Sequence, residues 1–166
     1  MSVGQADVCK ALNAAWDASG LDAIFKALWP DPTSTEYEVL HDEEASPGQA
    51  YPYCVCGQLP GKTSARMCGG VGKLCEVHGY TLMFTIHAKE IAGDDRSVKE
   101  IAAYLAGKVM EVFGGHPTVS PTETISIDNG YVLPTSYQTD YAVRVDDAEY
   151  SWIVTYLMRT DVPIML

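Results

Sequence analysis

Tyr80-Thr81-Leu82-Met83-Phe84-Thr85-Ile86-His87-Ala88-Lys89 alternates without a break. Tyr80, Leu82, Phe84, Ile86 and Ala88 fall on one face; Thr81, Met83, Thr85, His87 and Lys89 fall on the other. A period of two is the mark of a strand with one buried face. After the breaker Ile91-Ala92-Gly93-Asp94-Asp95 the period changes. Val98, Ile101, Ala102, Leu105, Val109, Val112 and Phe113 recur at helical spacing and make one apolar stripe. Ser97 and Glu100 have the spacing of a capping box, and Gly114-Gly115 stops the helix. A long half-buried strand therefore feeds an amphipathic helix that packs on its sheet.

Working outward, residues 5–29 read as one or two helices. Val8, Leu12 and Trp16 share a stripe, Gly20 interrupts it, and Trp29-Pro30-Asp31-Pro32 ends it. Residues 30–50 form a polar, acidic connection, with a short strand expected at Tyr37–Val39. Tyr51-Pro52-Tyr53-Cys54-Val55-Cys56-Gly57 reads as a strand entered through proline. Residues 57–73, rich in glycine, read as a long hairpin loop; Leu74–Lys89 returns as the main strand, with a bulge expected at Gly79. Later, Thr124–Ile127 is a strand before the turn Asp128-Asn129-Gly130, and Pro117–Pro121 is loop. A hairpin follows: Tyr141, Val143 and Val145, a turn at Asp146-Asp147-Ala148-Glu149, and the return Trp152–Met158. Residues 160–166 read as a tail that ends apolar and exposed, suited to a core plug or to a contact with a neighbouring subunit. The sum is a single α+β domain over 1–166: a mostly antiparallel sheet with an N-terminal helix and a long amphipathic helix packed on it.

The 166 residues carry 22 carboxylates against 11 lysines and arginines, a net charge of −11. That balance opposes a sequence-independent grip on nucleic acid, which needs cations on phosphates. Its simplest consequence is solubility. No apolar run approaches the length of a membrane span, and the first seven residues lack the basic start and apolar core of a signal peptide. The five cysteines, Cys9, Cys54, Cys56, Cys68 and Cys75, are expected to be reduced thiols.

Candidate chemistry is thin. Cys54, Cys56, Cys68 and Cys75 with His78 and His87 could be assembled into a metal set. However, a one-residue spacing on a strand is not a zinc knuckle, and packing explains the thiols better. Gly69-Gly70-Val71-Gly72-Lys73 lacks the first glycine of a phosphate loop, has Leu74 where Ser or Thr is needed, and precedes a strand. Asp94-Asp95 suits a helix start, and Asp146, Asp147 and Glu149 suit a solvated turn. His41, His78, His87 and His116 are scattered among no nucleophile motif. The expectation is a protein without catalytic residues, cofactor or metal.

The order of these elements resembles the tail terminator, or tail completion, proteins of long-tailed bacteriophages. The likeness runs from about Val8 to Val162 and lies in architecture: the N-terminal helix, the proline-bearing strand at Tyr51–Val55, a long loop, the strand Tyr80–Ala88, the acidic spacer Gly93-Asp94-Asp95, the helix Val98–Phe113 and the late hairpin. The extended 30–50 segment, the 57–73 loop and the cysteines depart from shorter relatives. The resemblance implies a virion protein, assembled in the host cytoplasm and located in the tail or neck. It implies a homo-hexameric ring whose partners are the tail tube protein and the head or neck connector, with DNA passing through the lumen unbound and no membrane contact. Under it, Asp42, Glu43, Glu44, Asp94, Asp95, Asp146, Asp147 and Glu149 are candidates to line that lumen and repel phosphates. Lys62, Arg66 and Lys73 are candidates to dock the 57–73 loop on an acidic neighbour. Alternatives are a tail tube or neck component of similar fold, or a small metal-binding or thiol protein using Cys54, Cys56, Cys68 and Cys75.

Overall fold

In the computed structural model, residues 5–42, 44–68, 74–115, 125–127, 131–133 and 135–164 are described. The strand at the centre of the sequence is also the centre of the sheet. Five strands run in the order β1-β2-β3-β7-β6: β1 (Leu40–Asp42), β2 (Tyr53–Cys68), β3 (Leu74–Lys89), β7 (Glu149–Ile164) and β6 (Thr135–Arg144). All neighbours are antiparallel except β1, which runs parallel to β2. A separate antiparallel pair joins β4 (Ile125–Ile127) to β5 (Tyr131–Leu133). The Asp128-Asn129-Gly130 turn between them lies outside the described residues, as do Pro117–Pro121 and Glu43.

The helices are α1 (Gln5–Ser19), α2 (Leu21–Lys26) and α3 (Val98–Phe113). Gly20 separates the first two with φ at 76°, a left-handed conformation that costs glycine nothing. Ser19 reinforces the break: its hydroxyl donates to the Trp16 carbonyl and accepts from the Leu21 amide. At the start of α3 the capping box is complete. The Glu100 amide donates to Ser97 Oγ at 3.3 Å, and the Ser97 amide donates to Glu100 Oε2 at 2.7 Å. At its end the Tyr156 hydroxyl, carried by β7, donates to the Gly114 carbonyl and ties the helix exit to the sheet.

One face of the sheet meets all three helices. Cys54, Cys56, Leu82, Phe84, Ile86, Ala88, Val154, Tyr156 and Met158 pack against Val8, Leu12, Trp16, Leu21, Phe25, Ile101, Leu105, Val109 and Phe113. Trp16, Phe84 and Phe113 form its aromatic centre, with ring centroids 5.0–6.4 Å apart. The alternation of β3 is thus realised: Leu82, Phe84, Ile86 and Ala88 are fully buried, whereas Thr81, Met83, Thr85, His87 and Lys89 are partly exposed on the helix-free face.

Four expectations need correction. Residues 57–68 are not a loop but the distal part of β2, and the remaining residues of the expected 57–73 loop, 69–73, lie outside the described residues. Pairing with β3 holds this glycine- and proline-containing stretch extended. The irregularity expected at Gly79 lies on the opposite strand: register shifts between Pro60 and Ser64, while β3 stays in step with β7 at Gly79 and Arg159. The first strand is Leu40–Asp42 rather than Tyr37–Val39, fixed by parallel pairing with Cys54–Cys56. Residues 160–164, expected as a tail beyond the last strand, are the end of β7 paired with β3.

Candidate functional site

The helix-free face has two parts. Toward the end where β3 leaves the sheet, polar and aromatic groups converge on His87. In-register pairing sets Tyr53, His87, Ser151 and Val143 in one cross-strand row. The Tyr53 and His87 rings stack at 4.8 Å, His41 meets the edge of Tyr53 at 5.7 Å, and Tyr51 meets it at 4.9 Å. Glu149, only 12% exposed, is the hub. It accepts from the Tyr51 hydroxyl at 3.2 Å, lies 3.3 Å from His87 Nδ1 and pairs with Lys89 Nζ at 3.7 Å. The Lys89 ammonium also sits over the Tyr51 ring at 4.1 Å.

Burial lowers the His87 pKa below the ordinary imidazole value, outweighing the pull of the Glu149 carboxylate in the other direction. The ring is therefore neutral at pH 7. Burial likewise raises the Tyr53 hydroxyl, with the Tyr51 hydroxyl adding to the effect. Ser151 Oγ lies 3.0 Å from His87 Nδ1, the same nitrogen that faces Glu149. A serine–histidine–acid relay needs the serine and the acid on opposite ring nitrogens. Here they share one, so the arrangement orients His87 and does not activate Ser151.

Beside this cluster the strands present mostly apolar side chains. A shallow depression of about 360 Å³ is lined by Tyr53, Val55, Gly57, Met83, Thr85 and His87 together with Glu44 and Ala45. The next row across the sheet is Val55, Thr85, Ile153 and Tyr141. Tyr141 and Val143 are 48% and 39% exposed, large values for side chains of that kind on a sheet.

The acidic candidates do not form one group. Asp94 is engaged locally: it takes Arg96 Nε at 2.9 Å and Nη2 at 2.6 Å, and the hydrogen bonds from Arg96 hold its carboxyl at about 2. Asp95, Asp146 and Asp147 are exposed, and Arg144 pairs with Asp147. Asp94 and Asp95 follow the end of β3, and Asp146 and Asp147 form the β6–β7 turn, so all four belong to the same end of the sheet. Asp42 is exposed at the end of β1, and Glu44 follows it. Glu149 is an internal bonding hub rather than a solvent-facing carboxylate. Among the docking candidates, Lys62 and Arg66 belong to β2, and Lys73 lies outside the described residues.

Register also divides the cysteine set. Cys54 and Cys56 pair with Ile86 and Phe84, whereas Cys68 and Cys75 belong to the far end of the same hairpin. Nine residues of β3 separate the Phe84 and Cys75 positions, about 30 Å at strand rise, too far for one four-thiolate site. Cys54 and Cys56 face the core, and burial raises both thiols well above their ordinary range. Among the described residues no group of three or more metal-ligating side chains converges. Among them, too, no helix is long and apolar enough to cross a membrane. The chain matches no described protein family, and no curated protein is significantly similar to it.

Proposed function

We propose that this chain is a structural virion subunit that closes into a ring, of six copies, on the head-proximal end of a phage tail tube. There it stops tube growth and presents a docking surface to the head or neck connector. The observation that carries the reading is the one-sided sheet. Helices cover one face, and the other offers Val55, Met83, Ile153, Tyr141 and Val143, an uncharged, partly exposed patch on a chain of net charge −11. Such a patch suits burial against another subunit. The order of elements that resembles tail terminators supports the same reading, with no catalytic residue and no cofactor assigned. The exposed carboxylates Asp42, Glu44, Asp95, Asp146 and Asp147 remain candidates for the wall of a channel that DNA crosses without binding.

Native mass by light scattering over a wide concentration range tests this. The expected species is a closed ring of roughly 108 kDa, six protomers, with nothing larger. Long concentration-dependent polymers would replace the reading with a tube protein. For a protein that stays monomeric, purified tail tubes are added: capping of tube ends supports the reading, and failure to bind them overturns it.

A further inference from the structure

The sheet is not equally wide along its length. β1 reaches only the Cys54–Cys56 level of β2, and β6 begins opposite Met158 of β7. Beyond those levels, among the described residues, three strands continue alone: β2 to Cys68, β3 from Leu74 and β7 to Ile164. Their last paired row is Cys68, Leu74 and Ile164, and the row nearest the body is Pro60, Tyr80 and Met158. Six residue steps along β3 make this extension about 20 Å long. Among the described residues, no strand pairs with the outer edges of β2 and β7 there.

The extension also differs in charge. Over residues 59–68, 74–81 and 157–164 the sequence has Lys62, Arg66 and Arg159 against Glu76 and Asp161. Leaving aside residues 69–73, which lie outside the described residues, the rest of the chain keeps seven cations against twenty carboxylates. The other cluster of cations, Arg96, Lys99 and Lys108 around α3, is balanced on the spot. Arg96 pairs with Asp94 at 2.6 Å, Lys108 with Glu111 at 2.9 Å, and Glu100 lies in the first turn. A three-stranded arm of mild positive charge is thus joined to a strongly acidic body.

We infer that the partner of this arm is a second copy of this chain, with the arm of one protomer laid on the acidic body of the next. Two molecules of net charge −11 repel at long range, and a contact that brings opposite signs together relieves that repulsion. Arm on body does so; body on body does not. The contact is also heterologous, the kind that repeats around a ring, whereas arm against arm would give an isolated pair. The inference rests on the ring reading and supplies its subunit contact.

The experiment is sedimentation of the full chain at about 50 mM and 500 mM salt, compared with the triple variant Lys62→Glu, Arg66→Glu, Arg159→Glu. A second variant, Lys10→Glu, Lys26→Glu, Lys99→Glu, removes the same charge from the body, and circular dichroism verifies that both fold. A neutral arm, Lys62→Gln, Arg66→Gln, Arg159→Gln, serves if the reversed arm misfolds. Expected is self-association of the native chain that weakens at high salt. It should fall at least about tenfold in the arm variants and by clearly less in the body variant. Association that survives arm reversal would overturn the arm contact and leave the ring standing. A native chain that stays monomeric at low salt would overturn the arm contact in solution, and capping of tube ends would then decide the ring reading separately.

Discussion

His87 gives the residue scale its clearest pH signature. The groups facing it are Tyr53, Ser151, Glu149 and, through Tyr53, His41. Because burial lowers its pKa in the folded protein, the unfolded chain takes up this proton more readily as pH falls through the ordinary histidine range. The contribution of neutral His87 is full above about pH 6.5 and is lost as pH falls toward its lowered folded value. Urea midpoints at pH 7.5 and 5.5 should therefore differ more in the native chain than in His87→Gln; an equal shift in both would remove His87 as the source. Phe84 is the core counterpart. It is fully buried and touches Trp16, Phe113 and Tyr156. Phe84→Ala should cost about 3–5 kcal/mol in denaturant unfolding, the range for an unrelaxed aromatic cavity.

At the scale of elements, α3 depends on its first turn. Ser97→Ala removes an acceptor for the Glu100 amide and should cost about 1 kcal/mol, with Ser97→Asp recovering most of it in the same unfolding assay. α3 was fully legible in sequence, because stripe, cap and glycine exit all agree. So was the body half of β3, whose alternation survives intact. The distal half of β2 was not: Gly57, Pro60 and Gly61 are local breakers, and the strand exists because β3 pairs along it. β1 was misplaced by three residues because so short a strand is chosen by its neighbour; the Cys54 amide donates to the Val39 carbonyl at 2.8 Å. The cluster around His87 was only half visible. Alternation sets His87 and Lys89 opposite Ile86 and Ala88, a polar end to an apolar strand. Its hub, Glu149, lies 62 positions from His87 and 98 from Tyr51, and no local pattern joins them.

For the whole molecule, the charge distribution makes a prediction about DNA. With twenty-two carboxylates against eleven lysines and arginines, and with Arg96 and Lys108 paired to Asp94 and Glu111, the protein should leave duplex DNA unretarded in gels, even at about 50 mM salt where phosphate contacts are strongest. Retardation that declines steeply with added salt would mean a cationic surface faces the polymer. The topology carries a different consequence, one of timing. β3 is the central strand, yet it receives β2 from just before it and β7 from far after it: Leu74 pairs with Ile164, ninety positions later. On the ribosome the β2–β3 hairpin therefore emerges with one long edge open, and it waits for α3, β4, β5 and β6 to be synthesised before β7 closes it. Folding should be slow for a domain of this size, and the nascent chain should be most prone to aggregation in the interval before β7 appears.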